Sequence, residues 1–383
     1  MELGSESETP WEIHQSIQFQ GALPKLALIQ EGWKEMEHAN IIESKNKISN
    51  LESHEEWELR KKITNPYEAI FSGSSDTNFP SLAKVHPLSR SYFKMIEMLH
   101  VIDFWRLVSK GVPFRSAHVC EGPGGFLQCI VEKLKEKHIP IGAIHAMTLR
   151  PTKSHIPGWR RSIQFLRKYP QIQLEYGADD TGNILLFENQ AAFCARSAES
   201  NIFTADGGFD FSVDYSNQEQ MAFPLLLASF TMGLASLAKG GTMIIKLFDI
   251  YSHATQDLFI GTARLFQSFT IYKPATSRPC NSERYFIATG YIGIKNIQSS
   301  NWIQHLREAQ SKHKQSPLTR LVEEDWPSSI LQAVYEQIEW QEKQQVHSIE
   351  ETIMFDMSTL EEKIAKNIKM SKKWCKCFGV PHS

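Results

Sequence analysis

Charge of one sign is what this sequence most lacks. Its 383 residues carry 41 Lys and Arg against 43 Asp and Glu, a formal net charge of −2. A chain so balanced does not adhere to nucleic acid by global attraction, so any basic surface must be local. Long hydrophobic runs are missing too: no stretch of the sequence approaches the roughly 20 apolar residues that cross a bilayer. The opening "MELGSESETPWEIHQ" is acidic and polar, without the apolar centre of a secretory leader. The six cysteines, at 120, 129, 194, 280, 375 and 377, show no framework spacing. They read as reduced thiols in a soluble, intracellular protein, with nucleus and cytoplasm both open. Cys375 and Cys377 have no second ligand pair to complete a zinc site, so no metal is expected.

What is present divides into three regions, with expected boundaries at 1–84, 85–295 and 296–383. The first mixes charged helical stretches ("NKISNLESHEEWELRKKI") with a Gly, Ser and Asp-rich break at "FSGSSDTNFP". The last is rich in Glu, Gln and Lys, and "SSILQAVYEQIEWQEKQQVHSIEETI" repeats its apolar residues at helical spacing. The middle alternates apolar runs with helical patterns, the βαβ rhythm of a parallel sheet. Strands are predicted at "SAHVC", "IGAIHAM", "IQLEYG", "NIFTA", "GTMIIKLF", "SFTIYKP" and "RYFIATGYIG". A long helix over "SYFKMIEMLHVIDFWRLV" precedes them, and another covers "EQMAFPLLLASFTMGLASLA", kinked or entered near Pro224. The short loop between the last two strands implies one antiparallel partner in a mostly parallel sheet. The expected fold is α/β, doubly wound, with helical additions at both ends.

After the first of these strands comes Glu121-Gly122-Pro123-Gly124-Gly125-Phe126, and then a helix. Glycines let the backbone approach a ligand closely, and the helix N-terminus begins behind them. A tight turn with no ligand is the plain alternative. The spacing departs from G-x-G-x-x-G, and the second strand ends in Ala146-Met147-Thr148-Leu149 without the acid that would hold a ribose. A dinucleotide is therefore disfavoured, and a P-loop is absent. A nucleoside cofactor without a pyrophosphate fits better, S-adenosylmethionine above all.

Four ionisable residues gather where open α/β sheets bind ligands, at the C-terminal strand edge. Asp206 ends the strand in "TADGGFD", and Lys246 ends the strand in "TMIIKLF". Glu283 stands at the mouth of the final strand in "KPATSRPCNSERYF", and Lys94 lies on the helix ahead of the first strand. Asp206 could be a turn former and Lys94 a solvated helix residue. Lys246 is harder to dismiss, because a lysine inside an apolar strand must find a partner or shift its pKa.

Together these segments resemble the Lys-Asp-Lys-Glu tetrad of FtsJ-like ribose 2′-O-methyltransferases, most of all the cap-specific mRNA enzymes of animals and large DNA viruses. "SRSYFKMIE" resembles the segment bearing the first lysine, "CEGPGGF" the cofactor loop, and "TADGGFD" with "NQEQ" the aspartate segment. "GGTMIIKLF" resembles the second-lysine strand and "KPATSRPCNSERYF" the glutamate segment. The resemblance implies a Rossmann-like methyltransferase sheet of about seven strands and S-adenosylmethionine as donor. It implies an RNA ribose 2′-hydroxyl as acceptor, near the 5′ cap of mRNA, with other capping or transcription components as partners. Lys94, Asp206, Lys246 and Glu283 would be catalytic. Residues 121–126, Asp179 in "YGADDTGNI" and Asp206 would hold the cofactor. Internal ribosomal or transfer RNA remains an alternative target, and a silent RNA-binding or scaffold subunit an alternative role.

A ribose hydroxyl is a poor nucleophile, so its proton must be removed while oxygen, methyl and sulfur are aligned. Lys246 is the candidate base, with Lys94 holding the oxygen and the two acids orienting Lys246. An apolar surround lowers the pKa of Lys246 and the acids raise it. Sequence leaves that balance open. For RNA, Arg150, Lys153 and Arg278 are candidate phosphate contacts. The segment 148–170 adds Arg160, Arg161, Arg167 and Lys168, interleaved with Trp159 and Tyr169 as candidate stacking surfaces. A solvated helix face with core aromatics would show the same pattern.

Overall fold

The computed structural model of the protein describes residues 22–30, 35, 36, 38–48, 51, 53–72, 79–109, 111–152, 158–208 and 218–383. The chain opens with β1 (Leu26–Ile29), α1 (Ala39–Lys47) and α2 (His54–Thr64). The middle region runs α3 (Ser91–Val101), α4 (Phe104–Leu107), β2 (Phe114–Val119), α5 (Gly125–Glu136), β3 (Ile141–Met147), α6 (Ile163–Lys168) and β4 (Ile172–Glu175). It continues with α7 (Phe187–Ser197), β5 (Ser200–Ala205), α8 (Gln218–Ser236), β6 (Leu237–Leu247), α9 (His253–Ala263), β7 (Ser268–Tyr272) and β8 (Arg284–Thr289). Last come α10 (Ile297–His313), β9 (Arg320–Val322), α11 (Ser328–Ile353) and α12 (Leu360–Cys377).

All seven predicted strands form, and they pair as one sheet in the order β4-β3-β2-β5-β6-β8-β7. Only β8 runs against its neighbours, pairing antiparallel with both β6 and β7. The other pairings are parallel, so these strands end on a common edge. Helices cover both faces, so β2, β5 and most of β6 are buried along successive residues rather than in alternation. Chain order reverses between β2 and β5, the position where such sheets open a ligand crevice.

Two helices depart from expectation. The helix predicted over 91–108 breaks after Val101, because Asp103 adopts a left-handed conformation (φ 46°) and re-aims the chain into the short α4. Helix α8 begins at Gln218, so Pro224 lies inside it rather than at its entry. Its surface is buried on most sides, so packing outweighs the lost backbone donor.

The terminal regions share the core. Ile41 and Trp57 from the N-terminal side join Ile338 and Ile349 of α11 in the main apolar cluster. Trp374 and Phe378 pack with Phe93 in the cluster on the α3 side. One feature escaped the sequence: β1 and β9 pair antiparallel, far apart in the chain. Strands of four and three residues are too short to show periodicity. Helix α11 also covers the edge strand β7, where Gln337 and Gln341 donate to the Ile271 carbonyl at 3.4 and 3.2 Å. That satisfies an acceptor an open edge would expose.

Candidate active site

Asp206, Lys246, Lys94 and Glu283 converge at the C-terminal strand edge. Parallel pairing sets Ala205 opposite Ile245, so Asp206 and Lys246 leave the sheet at one level. Lys246 Nζ lies 3.2 Å from Asp206 Oδ1 and donates to the Asp206 carbonyl at 2.9 Å. Lys94 Nζ donates to Glu283 Oε1 at 2.5 Å across the gap between α3 and the loop before β8. All four side chains are about six-sevenths buried, with exposures of 13–15%.

The two ion pairs are joined by a residue that sequence reasoning missed. Tyr285 is fully buried, and its hydroxyl lies 2.9 Å from Asp206 Oδ1 and 2.5 Å from Glu283 Oε1. One proton serves two carboxylates, so the phenol donates to one at a time. Its pKa stands well above 10, first through burial and then through the two acids, which keeps it a donor. The period-2 geometry of a strand could have found it, since Tyr285 follows Glu283 by two and shares its face.

Burial pulls the Lys246 amine downward, but Asp206 and Glu283 together outweigh it, and its pKa rises above the ordinary 10.5. The balance left open in the sequence is therefore settled for the acids, and Lys246 holds its proton at rest. Burial pulls the Glu283 carboxyl upward, yet Lys94 and Lys246 hold it well below the usual range.

The glycine turn lies at the same edge, between β2 and α5. Gly124 has φ 102°, open only to glycine without strain. A Cβ on Gly125 would meet Ser89 Oγ and Ser91 Oγ and come within 2.8 Å of the Tyr92 backbone nitrogen. Glycine here lets α5 start against α3, the helix that carries Lys94. The Phe126 side chain is buried against the Tyr285 ring at 5.7 Å, so only its backbone remains for a ligand.

Glu121 turns inward. Its Oε1 accepts from Thr204 Oγ1, and His118 Nδ1 lies 2.7 Å from the same hydroxyl. Because Thr204 donates to Glu121, it receives the His118 Nδ1 proton, and Ser116 Oγ lies 2.9 Å from Nε2. Glu121 Oε2 is buried with no hydrogen-bond partner, 3.3 Å from His118 Nδ1. Asp179, just past β4, is exposed and accepts through Oδ1 from Thr181 N, Thr181 Oγ1 and Asn189 Nδ2 at 3.0, 2.7 and 2.8 Å. Those bonds lower its pKa.

The loop that carries Glu283 is held from several sides. Glu97, one turn after Lys94 on α3, is fully buried. It accepts from Tyr272 Oη, Ala275 N, Thr276 N and Thr276 Oγ1 at 3.0, 2.8, 3.3 and 3.1 Å. Burial raises its pKa and these donors pull it back, leaving it at about 7. Gln345 of α11 donates to the Cys280 carbonyl at 3.2 Å.

The RNA candidates fare differently. Arg278 is engaged inside the protein: it reaches Glu68 through Nη2 at 3.2 Å and Nε at 3.3 Å, and Glu58 at 3.6 Å. Glu68 also binds Arg90 at 3.0 Å. Arg150 rests over the Tyr176 ring at 3.8 Å and pairs with Asp180 at 2.5 Å, half exposed. Lys153 lies outside the described residues. Trp159 and Tyr169, offered as stacking surfaces, are 6% and 5% exposed in a core cluster with Leu127, Val131 and Ile144. Arg160, Arg161, Arg167 and Lys168 between and beside them are exposed. Among the described residues no cluster of His, Cys, Asp and Glu could hold a metal ion. No helix among the described residues is long and apolar enough to cross a membrane.

Such a sheet, with a glycine turn and a buried Lys-Asp-Lys-Glu cluster on one edge, defines a Rossmann-like methyltransferase. The chain matches the FtsJ-like methyltransferase family over residues 87–291, more than half its length, and belongs to that family. That family performs RNA ribose 2′-O methylation and depends in general on S-adenosylmethionine. The chain is 28% identical over 262 residues to the cap-specific mRNA (nucleoside-2′-O-)-methyltransferase 1 of Trypanosoma brucei brucei, covering 65% of this chain and 68% of that one. Proteins of the same name from Dictyostelium discoideum and Mus musculus are 29% and 28% identical, each over 70% of this chain. The chain spans only 36% and 32% of those two relatives.

Proposed function

We propose that this chain transfers a methyl group from S-adenosylmethionine to a ribose 2′-hydroxyl near the 5′ cap of mRNA. The observation that carries the reading is the buried chain Lys94–Glu283–Tyr285–Asp206–Lys246 at the strand edge beside the glycine turn. The donor set suits the cofactor. A buried Glu121 oxygen without a hydrogen bond lies at the base of the turn, and Asp206 follows the neighbouring strand β5, two carboxylates apt for a molecule with ammonium and sulfonium charges. Residues 122–126 and Asp179 would complete its cradle. When bound, it supplies an electrophilic methyl group on a cationic sulfur.

The chain's own residues handle the nucleophile. Lys94 holds the ribose oxygen and stabilises its growing negative charge. Lys246, once its resting proton has left to solvent, would accept the ribose proton as the O–C bond forms and the bond from methyl to sulfur breaks. An Asp206 carboxylate shared with a second cation supports the Lys246 proton less, which moves the amine toward a base. Glu283, Tyr285 and Asp206 keep the two amines apart and oriented. Of the RNA candidates, Arg150 has the geometry that supports phosphate contact, braced on Tyr176 at the rim of the sheet.

The test is methyl transfer from labelled S-adenosylmethionine to matched short RNAs, one with a methylguanosine cap and one with a 5′-triphosphate. Label on a cap-proximal ribose, lost in Lys246→Ala, is the expected result. Equal labelling of both RNAs would remove the cap from the reading. No transfer to either despite cofactor binding would refute it.

A further inference from the structure

The last helix carries a charge pattern that neither the fold nor the active site uses. Helix α12 buries Asn367, Ser371, Trp374 and Cys375 along one stripe. Its other half presents Lys366, Lys369, Lys372, Lys373 and Lys376, all exposed. No acidic residue occurs from Lys363 to the end of this helix. Solvated helix faces usually mix signs, since opposite charges four apart stabilise the helix. Helix α11 follows that habit, with Glu339 beside Lys343. None of the five lysines forms an ion pair among the described residues, where the one α12 bridge is Lys363 with Glu351 at 2.7 Å. The helix dipole favours a cation in the last turn, which accounts for Lys376 but not for Lys366 or Lys369. Against a net charge of −2, five unpaired cations on one helix are a segregated patch.

Its position is as telling as its charge. Trp374 packs edge-on against Phe93, the neighbour of Lys94, with ring centroids 6.0 Å apart. Asn367 donates to the Ile63 carbonyl and Ser371 to the Pro66 carbonyl. That segment leads to Glu68, which holds Arg90 ahead of α3 and Arg278 in the Glu283 loop. The lysine face thus forms the outer surface of the layer that holds two of the four tetrad residues. It extends over about 15 Å of helix.

We propose that this face of α12 binds the phosphate backbone of the RNA whose ribose enters the active site, at nucleotides outside the catalytic cleft. The proposal rests on the RNA methyltransferase reading above. Ammonium groups on flexible stems suit phosphates and read no base, so the contact adds affinity for longer RNA irrespective of sequence.

The experiment compares binding of a capped RNA of about 20 nucleotides with that of a capped tetranucleotide, against salt concentration. The full chain is used, alongside the variant Lys366→Gln/Lys369→Gln/Lys373→Gln. Each phosphate contact on a single strand contributes about 0.7 to the salt slope, so the variant's slope for the long RNA should flatten by about 2. Its preference for the long RNA over the short should fall about tenfold or more, and the corresponding Lys→Arg variant should restore it. An unchanged slope and length preference would overturn the proposal. Unchanged RNA binding with lost affinity for a polyglutamate peptide would assign the face to an acidic protein instead and also overturn it. Wild-type chain that methylates neither RNA would refute the underlying reading. Wild type that methylates, with length dependence unmoved by the variant, refutes the lysine face alone.

Discussion

Tyr285 sits directly opposite Lys246 in the antiparallel pairing of β6 and β8, and its hydroxyl touches both acids that hold Lys94 and Lys246. The phenol is a neutral wedge between two carboxylates, each already committed to a different lysine. Tyr285→Phe keeps the ring against Phe126 but removes the shared proton. Hydrogen bonds to charged groups contribute about 1.5–3 kcal/mol, so a fall in kcat of about 10- to 100-fold is expected with the fold intact. Single-turnover methyl transfer, with cofactor affinity measured alongside, checks this. A variant with normal kcat would show that the bridge does not position the lysines.

Burial lowers the Lys246 pKa, but Asp206 and Glu283 raise it further, so the proposed base must lose a proton before it can act. The rate should therefore climb with pH across the range from about 6 to about 9, without levelling near neutrality, in kcat/KM for RNA. Asp206→Asn removes the nearer acid, so its residual activity should level off at lower pH than the wild type. A pH profile flat over that range would remove Lys246 from the role of base.

Glu97 gives stability its own pH dependence. Its pKa moves from the ordinary 4.5 to about 7 on folding, so the native state binds the extra proton between those values. The Glu97 contribution to stability should fall as pH rises through that window, by about 3 kcal/mol in all. Urea unfolding of the wild type and Glu97→Gln at stepped pH tests it. The variant should lack this slope, and a slope equal to the wild type's would place the effect elsewhere.

Gly125→Ala should damage both folding and ligand binding. The added Cβ meets two serine hydroxyls that can turn away and one backbone nitrogen that cannot, at 2.8 Å. Overpacking of this kind costs about 1–3 kcal/mol. It would move α5 away from α3, opening the glycine turn and shifting Lys94 together. Thermal unfolding and calorimetric titration with S-adenosylmethionine should both show the loss, and normal values for both would deny the close approach.

Removing the C-terminal helices tests how far the sheet stands alone. Truncation after Lys295 strips Gln337 and Gln341 from the β7 edge and Gln345 from the Glu283 loop. The shortened chain should aggregate or melt at lower temperature, since an uncovered edge strand pairs with other chains. Light scattering and thermal unfolding read the outcome, and a stable, monomeric truncate would contradict it.

The strands, the glycine turn, the three ionisable residues at strand ends and Lys94 on the helix before them were legible in the sequence. Each is announced locally, by apolar runs, by turn residues and by a lysine inside "TMIIKLF" with no neighbour in sequence to pair with. Tyr285 had a signal as well, two residues from Glu283 on one face of a strand. What only the tertiary structure decided depends on segments far apart in the chain. Trp159 and Tyr169 interleave with cations just as stacking residues would, yet they face the core because β3 and α5 lie beneath them. Arg278 pairs with Glu68 across 210 positions, and β1 finds β9 across nearly the whole chain. The protonation of Lys246 is settled the same way. Its pKa sums burial in one strand with charges delivered by two others, and a linear sequence carries residue types but not the distances over which such charges act.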